Sequence, residues 1–469
     1  MIELYPFQEI GRDFLALRNN AILADDMGLG KTYQALEAIK KLNLYSGLII
    51  CTQSTRHTWA KRVREQMPEA FVKEITSPKI LPDVNAFNVV NYDIVWKKPL
   101  IDKLKEIIFP VMVCDESHAL KSMDAKRTKF ILGKKGLYIN CKRRWLMTGT
   151  PVLNRPIELY PALRSLFPTF LGRYTGYYDF AFKFCGGHQA PFGFDATGAS
   201  NLEQLCAILK PIMLRRLKED VLEDLPEVTY EKIYLEATDK LMALTEKENK
   251  LYRDNEALGE NASIRRTLGV IKATAAIKHL KNLLEEREKV VVFIWHTDVA
   301  RAIVEAFPNE SVLYTGKESA KEKEEALTKF RKDPKTRLFV GQLISAGIGV
   351  DGLQYVSDVC VFVEMSYVPG EIRQAVDRLN RIGQDKPVLA QFLVAEDSLD
   401  EKLINTLIVK AKNINTIMGE KGVTEFIGTK CGICGRTVEL KQLKRALTLT
   451  VCKQCKKEME CILGVLNKR

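Results

Sequence analysis

AILADDMGLGKT, Ala21 to Thr32, decides the fold. The opening apolar run is short and ends in acidic and glycine residues, which reads as a buried strand. Gly28 and Gly30 let the backbone curl so that successive N–H groups point at phosphate oxygens. Lys31 adds a point charge for the β- and γ-phosphates, and the Thr32 hydroxyl can ligate Mg²⁺. The amphipathic stretch YQALEAIKKL follows as a helix, whose N-terminus also favours an anion. A strict phosphate loop has glycine where this chain has Asp25. An ordinary strand-to-helix turn is the alternative, and GKT in this context speaks against it.

Outward from this loop the chain alternates apolar runs with helical stretches. GLIICT, FNVVNY, PVMVCD and RWLMTG read as further strands of a parallel sheet covered on both faces. PVMVCDESHAL delivers Asp115 and Glu116 to a strand's C-terminal end, where open α/β sheets bind ligands. Asp115 would hold Mg²⁺ through water, and Glu116 would orient and deprotonate an attacking water. His118 alone reads better as a hydrogen-bonded structural histidine. From about residue 155 to 225 the rhythm changes. LGRYTGYYDFAFKFCGGHQAPFGFDATGAS reads as an insertion rather than sheet core, and ILKPIMLRRLKEDVLEDLP as a helix running into a linker. Phe192 and Phe194 could stack on bases, although packing is the better expectation for aromatics.

Residues 236 to 288 are polar with a helical pattern. KVVVFIW, SVLYTG, TRLFVGQ, DVCVFVE and VLAQFLVA then rebuild the strand rhythm without a glycine-lysine loop. Two like sheets, one with a nucleotide loop, suggest two lobes. In the second, QAVDRLNRIGQ puts Gln374, Arg378 and Arg381 at spacings that a helix would gather on one face, just before a glycine that could end it. A solvated charged face is one reading. A clamp on the γ-phosphate is the other, and the loop at Lys31 favours it, because phosphoryl transfer spreads negative charge that an arginine stabilises.

The 469 residues carry a formal net charge of +12, and ten Lys/Arg against three Glu after residue 429 put +7 of it in the last 40 residues. A basic surplus favours polyanion partners, nucleic acid first. The N-terminus has no apolar core of a signal peptide, and no apolar run approaches the roughly 18 residues of a membrane span. No membrane role is therefore expected, and the 11 cysteines are expected as thiols or metal ligands in a reducing interior. Cys431, Cys434, Cys452 and Cys455 form two C-x-x-C pairs, the pattern of a structural Zn²⁺ site. Redox dithiols are the alternative, and Cys461 is off-pattern. The ribbon's Lys and Arg could meet DNA phosphates or dock a protein partner.

With these pieces together, the chain resembles the superfamily-two helicases, and among them the Swi/Snf-type DNA translocases. LYPFQEIGRDFL, ADDMGLGKT, DESHALKS, LMTGTP, ISAGIGVDGLQ and QAVDRLNRIGQ match that family's motifs in order, and LRRLKEDVLEDLP its inter-lobe linker. RPIELYPALRSLFP, PFGFDATGASNLEQL and SYVPGEIRQAVDRLNRIGQ are similar to the annealing-helicase (HARP-type) subgroup. The resemblance implies an α/β fold of two RecA-like P-loop-type lobes with helical insertions, plus the small C-terminal zinc ribbon. The lobes would span 1–225 and 226–425, with the ribbon over 426–469. It implies Gln8 as adenine reader and Asp26, Gly28, Gly30, Lys31, Thr32 and Asp115 as the ATP and Mg²⁺ set. Lys31, Asp115, Glu116, Gln374, Arg378 and Arg381 would carry hydrolysis. Thr148 and Thr150 would couple it to DNA movement, with Ser345 and Gly347 near the DNA backbone. Trp59 matches the family motif after the second strand, and His296 at a strand end could touch the DNA backbone; both are as readily structural. The chain departs from the pattern at Asp26, Ser117, Asp351 and Val368, all mild changes. It begins at the Q segment, so the subgroup's fork-binding module is expected to be absent.

The expected activity is an ATP-dependent translocase on double-stranded or forked DNA, contacting backbone without sequence readout. It is expected as a monomer inside a prokaryotic or phage-infected cell, or in a nucleus. One rival is an RNA-directed helicase of the same superfamily, against which stand the TGT triplet and the RIGQ ending. The other is a non-catalytic scaffold, against which stand Lys31, Asp115, Glu116, Arg378 and Arg381.

Overall fold

A computed structural model describes residues 3–191, 193–222, 225–235, 239–254, 258–346, 350–395, 398–419, 429–430, 437–438, 443–446 and 449–452. The chain divides into two compact units, residues 1–225 with 413–420, and residues 226–412 with 421–469.

The first unit is built on β1 (Asn20–Leu23), β2 (Gly47–Cys51), β3 (Phe71–Ile75), β4 (Ala86–Asn91), β5 (Phe109–Asp115) and β6 (Cys141–Met147). A small antiparallel hairpin of β7 (His188–Ala190) and β8 (Gly193–Asp195) stands apart, and β9 (Met213–Leu214) completes the sheet. The order is β3-β4-β2-β5-β6-β1-β9, with every pairing parallel. Cover on both faces explains why β2 and most of β1, β4 and β5 are apolar, whereas the edge strand β3 carries Lys73 and Glu74 and β6 begins with Lys142, Arg143 and Arg144 after Cys141. On β1, Ile22 faces one core with Leu48, Ile50 and Met112, while Ala21 and Leu23 face the other with Ile49 and Val113. The helices Pro6–Ala16, Lys31–Lys41 and Arg56–Gln66 cover the second face through Leu15, Leu36, Ile39, Trp59 and Val63.

The stretch expected as an insertion is mostly helical, and it is not separate from the sheet core. Tyr160, Leu163, Phe167, Phe180 and Phe184 pack into it. Its end also differs from the helix running into a linker. The helix Leu202–Leu209 stops, and Met213–Leu214 joins β1 as an edge strand. Pro211 has no N–H to extend the helical ladder, which ends the helix and frees the next residues to pair.

The second unit holds β10 (Val228–Tyr234), β11 (Val290–Ile294), β12 (Ser311–Tyr314), β13 (Leu338–Gln342), β14 (Val359–Phe362) and β15 (Val388–Val394). They form a parallel sheet in the order β10-β15-β14-β11-β13-β12. Val291 and Phe293 face one core, and Val290, Val292 and Ile294 the other. The polar segment before β11 forms the helices Asp239–Asp254 and Leu258–Glu286. In the helix Leu399–Met418, Ile404 and Leu407 pack in this unit, while Ile417 and Met418 join the first unit's core.

In the tail, β16 (Thr429–Lys430) pairs with β17 (Thr437–Val438), and β18 (Leu443–Ala446) with β19 (Leu449–Cys452), both antiparallel. The expected zinc ligands Cys431, Cys434 and Cys455 lie outside the described residues, and Cys452 is the last residue of β19. Among the described residues, no helix is long and apolar enough to cross a membrane.

Candidate nucleotide-binding site

The loop between β1 and the helix Lys31–Lys41 has the curl its glycines foretell. Gly28 and Gly30 have φ of +85° and +74°. Gly30 must also be small, because a Cβ there would strike the Gln8 amide. Gln8 is itself buried, donating from Nε2 to the Leu29 carbonyl (3.2 Å) and accepting from Tyr5 N–H (3.1 Å). The adenine reader of the resemblance thus braces the loop. Lys31 Nζ donates to the carbonyls of Asp25 (2.8 Å) and Asp26 (3.0 Å). Burial pushes its ammonium pKa down, while Glu116, Asp25, Asp115 and Asp26 push it up. A phosphate arriving there would replace two neutral carbonyls with a full negative charge, which is the better partner for a buried cation.

The departure at Asp25 has a structural reason. Its carboxylate is fully buried and paired with Arg216, Nε to Oδ1 at 2.9 Å and Nη2 to Oδ2. Gln34 Nε2 also donates to Asp25 Oδ2 (3.0 Å), and Arg216 Nη2 to Gln34 Oε1 (3.0 Å). Arg216 further reaches the Phe7 carbonyl, while Arg215 donates to the carbonyls of Ala24 (2.6 Å) and Gly149 (3.2 Å). The two arginines after β9 therefore clamp the loop from behind. Sequence reading missed them, and Gln34, as site residues. The carboxylate in the glycine position was the signal.

Across the strand ends, Trp59 Nε1 donates to Asp115 Oδ2 (2.7 Å), and Glu116 N–H to Asp115 Oδ1 (3.0 Å). Trp59 is thus a core residue with a polar handle on the site. Burial first and the neighbouring Glu116 charge second raise the Asp115 pKa, Trp59 and Lys31 oppose them, and the net value is about 6. Glu116 has φ +49° and ψ +49°, an uncommon conformation for a side chain larger than glycine, of the kind that collects at functional sites. Two neighbouring carboxylates, one raised by the other, fit a divalent cation, whose charge would relieve both. His118 Nδ1 lies 3.3 Å from Glu116 Oε2 and 3.1 Å from Thr148 Oγ1. Thr148 Oγ1 accepts from Thr150 N–H (3.1 Å). The histidine read as structural is therefore the link between the DES and TGT segments.

In the second unit the arginine segment differs from the expected helix face. The helix Pro369–Val376 contains buried Gln374 and ends before both arginines, which follow on tight turns. Amides hold this path: Gln384 Nε2 donates to the carbonyls of Ser357 (2.9 Å) and Leu379 (3.4 Å), and Asn380 Nδ2 to that of Pro226 (2.8 Å). Arg378 is buried with Nη1 on the Val350 carbonyl (3.1 Å), and Arg381 pairs with Asp351 (3.2 Å). His296 Nδ1 pairs with Glu364 Oε1 (2.6 Å), whose Oε2 accepts from the N–H groups of Trp295 and His296. Ser345 opens toward Gly316, and Gly347 lies outside the described residues. Phe192 lies outside them too, while Phe194 packs among Tyr178 and Phe182.

The SNF2-related domain matches residues 14–291, and the helicase conserved C-terminal domain matches residues 275–383. The chain belongs to the SNF2-related family. The DNA annealing helicase and endonuclease ZRANB3 of Homo sapiens is 33% identical over 89% of this chain and 41% of its own length. A SWI/SNF-related matrix-associated actin-dependent regulator of chromatin subfamily A-like protein 1 homolog of Caenorhabditis elegans is 34% identical over 86% of this chain and 60% of its own. The chain thus spans about two to three fifths of the length of these relatives. A Sulfolobus solfataricus SWI2/SNF2 ATPase core in complex with dsDNA is similar at 23% identity and TM-score 0.43, over 90% of this chain and 98% of that one. As an SNF2-related protein, the chain is a DNA-dependent ATPase of helicase superfamily two.

Proposed function

We propose that this SNF2-related chain is an ATP- and Mg²⁺-driven double-stranded DNA translocase that remodels branched DNA in replication or repair, in the compartment that holds the DNA. The observation that carries this reading is the chain of contacts in which Glu116 Oε2 lies 3.3 Å from His118 Nδ1, which is hydrogen-bonded to Thr148 Oγ1, which in turn accepts from Thr150 N–H. It joins the residues beside the phosphate loop to the segment that, by resemblance, answers to DNA. The similarity to an annealing helicase supports the choice of branched substrates.

In this reading Gly28, Gly30, Lys31 and Thr32 hold the phosphates, with Gln8 beside the base. The Thr32 hydroxyl and Asp115, with Asp26 beside them, would hold Mg²⁺, which would supply charge neutralisation on the phosphates. Glu116 orients the attacking water and takes its proton. Gln374, Arg378 and Arg381 answer the γ-phosphate charge. Cys431, Cys434, Cys452 and Cys455 hold Zn²⁺. Support comes from the register of the tail: the first C-x-x-C pair falls between β16 and β17, and the second begins at the end of β19. The chain acts as a monomer, with the ribbon free to meet DNA or a protein partner.

The test is a forked oligonucleotide with complementary arms. ATP-dependent conversion to reannealed duplex by the intact chain, absent in Lys31→Ala, is the expected result. Movement along linear duplex with no effect on forks would retract the branched-substrate part.

A further inference from the structure

The second unit carries a cleft of about 550 Å³ that the hydrolysis chemistry leaves unused. Its walls come from residues entering the sheet: Lys289 precedes β11, Arg337 precedes β13, Asp358 precedes β14, and Lys386 stands just before β15. The cleft therefore lies at the N-terminal ends of these strands. Trp295, His296, Gln342 and Glu364 stand at or just beyond the opposite ends, where parallel sheets ordinarily bind ligands.

Five cations and three carboxylates line the cleft. Two cations are staples of the fold. Lys289 Nζ donates to the carbonyls of Phe330 and Asp333, the latter at 2.9 Å. Arg337 donates to the carbonyls of Leu284, Arg287 and Glu288. Asp358 is taken by Arg287 at 2.7 Å. By contrast, the charged groups of Arg331, Lys332 and Lys386 make no hydrogen bond or ion pair among the described residues. Two flat groups complete the wall. The Arg331 guanidinium lies over Gly352, 2.9 Å from where a Cβ would stand, and the Tyr355 ring lies across Gly383. Tyr355 is 61% exposed, an aromatic face held in place by backbone and open to solvent.

Unpartnered cations beside a fixed, exposed ring match a strand of unpaired nucleotides, which offers phosphates and stackable bases together. Duplex DNA offers no free base face along its length, and the carboxylates that make a peptide acidic meet the cations but do not stack on the ring. We propose that this cleft binds single-stranded DNA, with phosphates on Arg331, Lys332 and Lys386 and a base on Tyr355. This rests on the DNA-motor reading and gives the second unit a separate hold on the unpaired arm of a branched substrate.

The test uses the full chain, a fork with one single-stranded arm and a blunt duplex of equal paired length. Affinity is read by fluorescence anisotropy over a range of salt. Arg331→Gln, Lys332→Gln and Lys386→Gln together should weaken fork binding about tenfold and flatten its salt slope by roughly two. Tyr355→Ala should weaken it about fivefold or more without changing the slope, and Tyr355→Phe should restore it. A 5-iododeoxyuridine in the arm should crosslink to Tyr355. Blunt-duplex affinity and hydrolysis without DNA should stay at wild-type values in every variant, which also reports correct folding. Unchanged fork affinity in both variant sets overturns the proposal, as do equal losses on fork and blunt duplex. Wild-type hydrolysis with blunt duplex is read in parallel. Its failure to rise sinks the DNA-motor reading, whereas a rise combined with arm-insensitive variants sinks only this proposal.

Discussion

Asp25 stands where a strict phosphate loop carries glycine, and its carboxylate is buried against Arg216. Removing one partner of a buried pair leaves the other charge uncompensated. Arg216→Ala is therefore expected to lower unfolding stability by about 3 kcal/mol and to loosen ATP binding, read by denaturant midpoint and nucleotide titration. Arg216→Lys should recover only part, because one ammonium cannot reach Asp25, Gln34 and Phe7 together. Asp115 supplies a pH test. Its pKa rises from 3.8 to about 6 in the fold, chiefly by burial. The folded chain then holds a proton that the unfolded chain has lost, so this group's stabilisation is full below the unfolded value and is lost as pH rises through the folded one. Nucleotide-free stability should fall over that window, and Asp115→Asn should flatten the fall. Hydrolysis at limiting Mg²⁺ should decline below about pH 6, where the carboxylate is protonated. Lys31, Asp115 and Glu116 were legible because each residue type has one obvious task at its place. Arg215, Arg216 and Gln34 were not, since their partners lie up to 209 residues away.

At the scale of elements, strands were easier to read than the path between them. β1, β5 and β11 are apolar on both faces, and only a covered parallel sheet explains that. The segment after the helix Pro369–Val376 was misread as more helix because the 3 and 4 spacing of Gln374, Arg378 and Arg381 suits one. The actual turns depend on the Gln384 and Asn380 amides finding carbonyls at Ser357, Leu379 and Pro226, contacts no local pattern encodes. Gln384→Leu removes the amide donor from the Ser357 carbonyl, so a loss of about 1–3 kcal/mol is expected in the second unit. If Arg378 and Arg381 act on the γ-phosphate, kcat should fall with it while ATP affinity holds. An unchanged kcat would separate this segment from the chemistry. The link from Glu116 to Thr148 has its own test. His118→Ala should keep hydrolysis without DNA within a few-fold and lose most of the increment that DNA adds, read by steady-state hydrolysis.

For the whole molecule, two parallel sheets of the same kind carry different equipment. The first holds the phosphate loop and carboxylates, and the second holds the arginine segment and a basic cleft at its other end. The sequence showed this asymmetry, since only one sheet follows a GKT loop. The cleft was hidden, because Lys289, Arg331, Tyr355 and Lys386 come together only through the sheet's strand order. For the tail, metal analysis should find one Zn²⁺ per chain, and Cys431→Ser with Cys452→Ser should abolish it. In the proposed function, double-stranded DNA drives hydrolysis at Lys31 and Glu116. This is tested most directly by steady-state ATP hydrolysis with no nucleic acid, blunt duplex, single-stranded DNA or RNA, with Lys31→Ala as the blank. Strong stimulation by duplex, and none in the variant, is the expected result. A rate indifferent to DNA, or raised more by RNA, would contradict it.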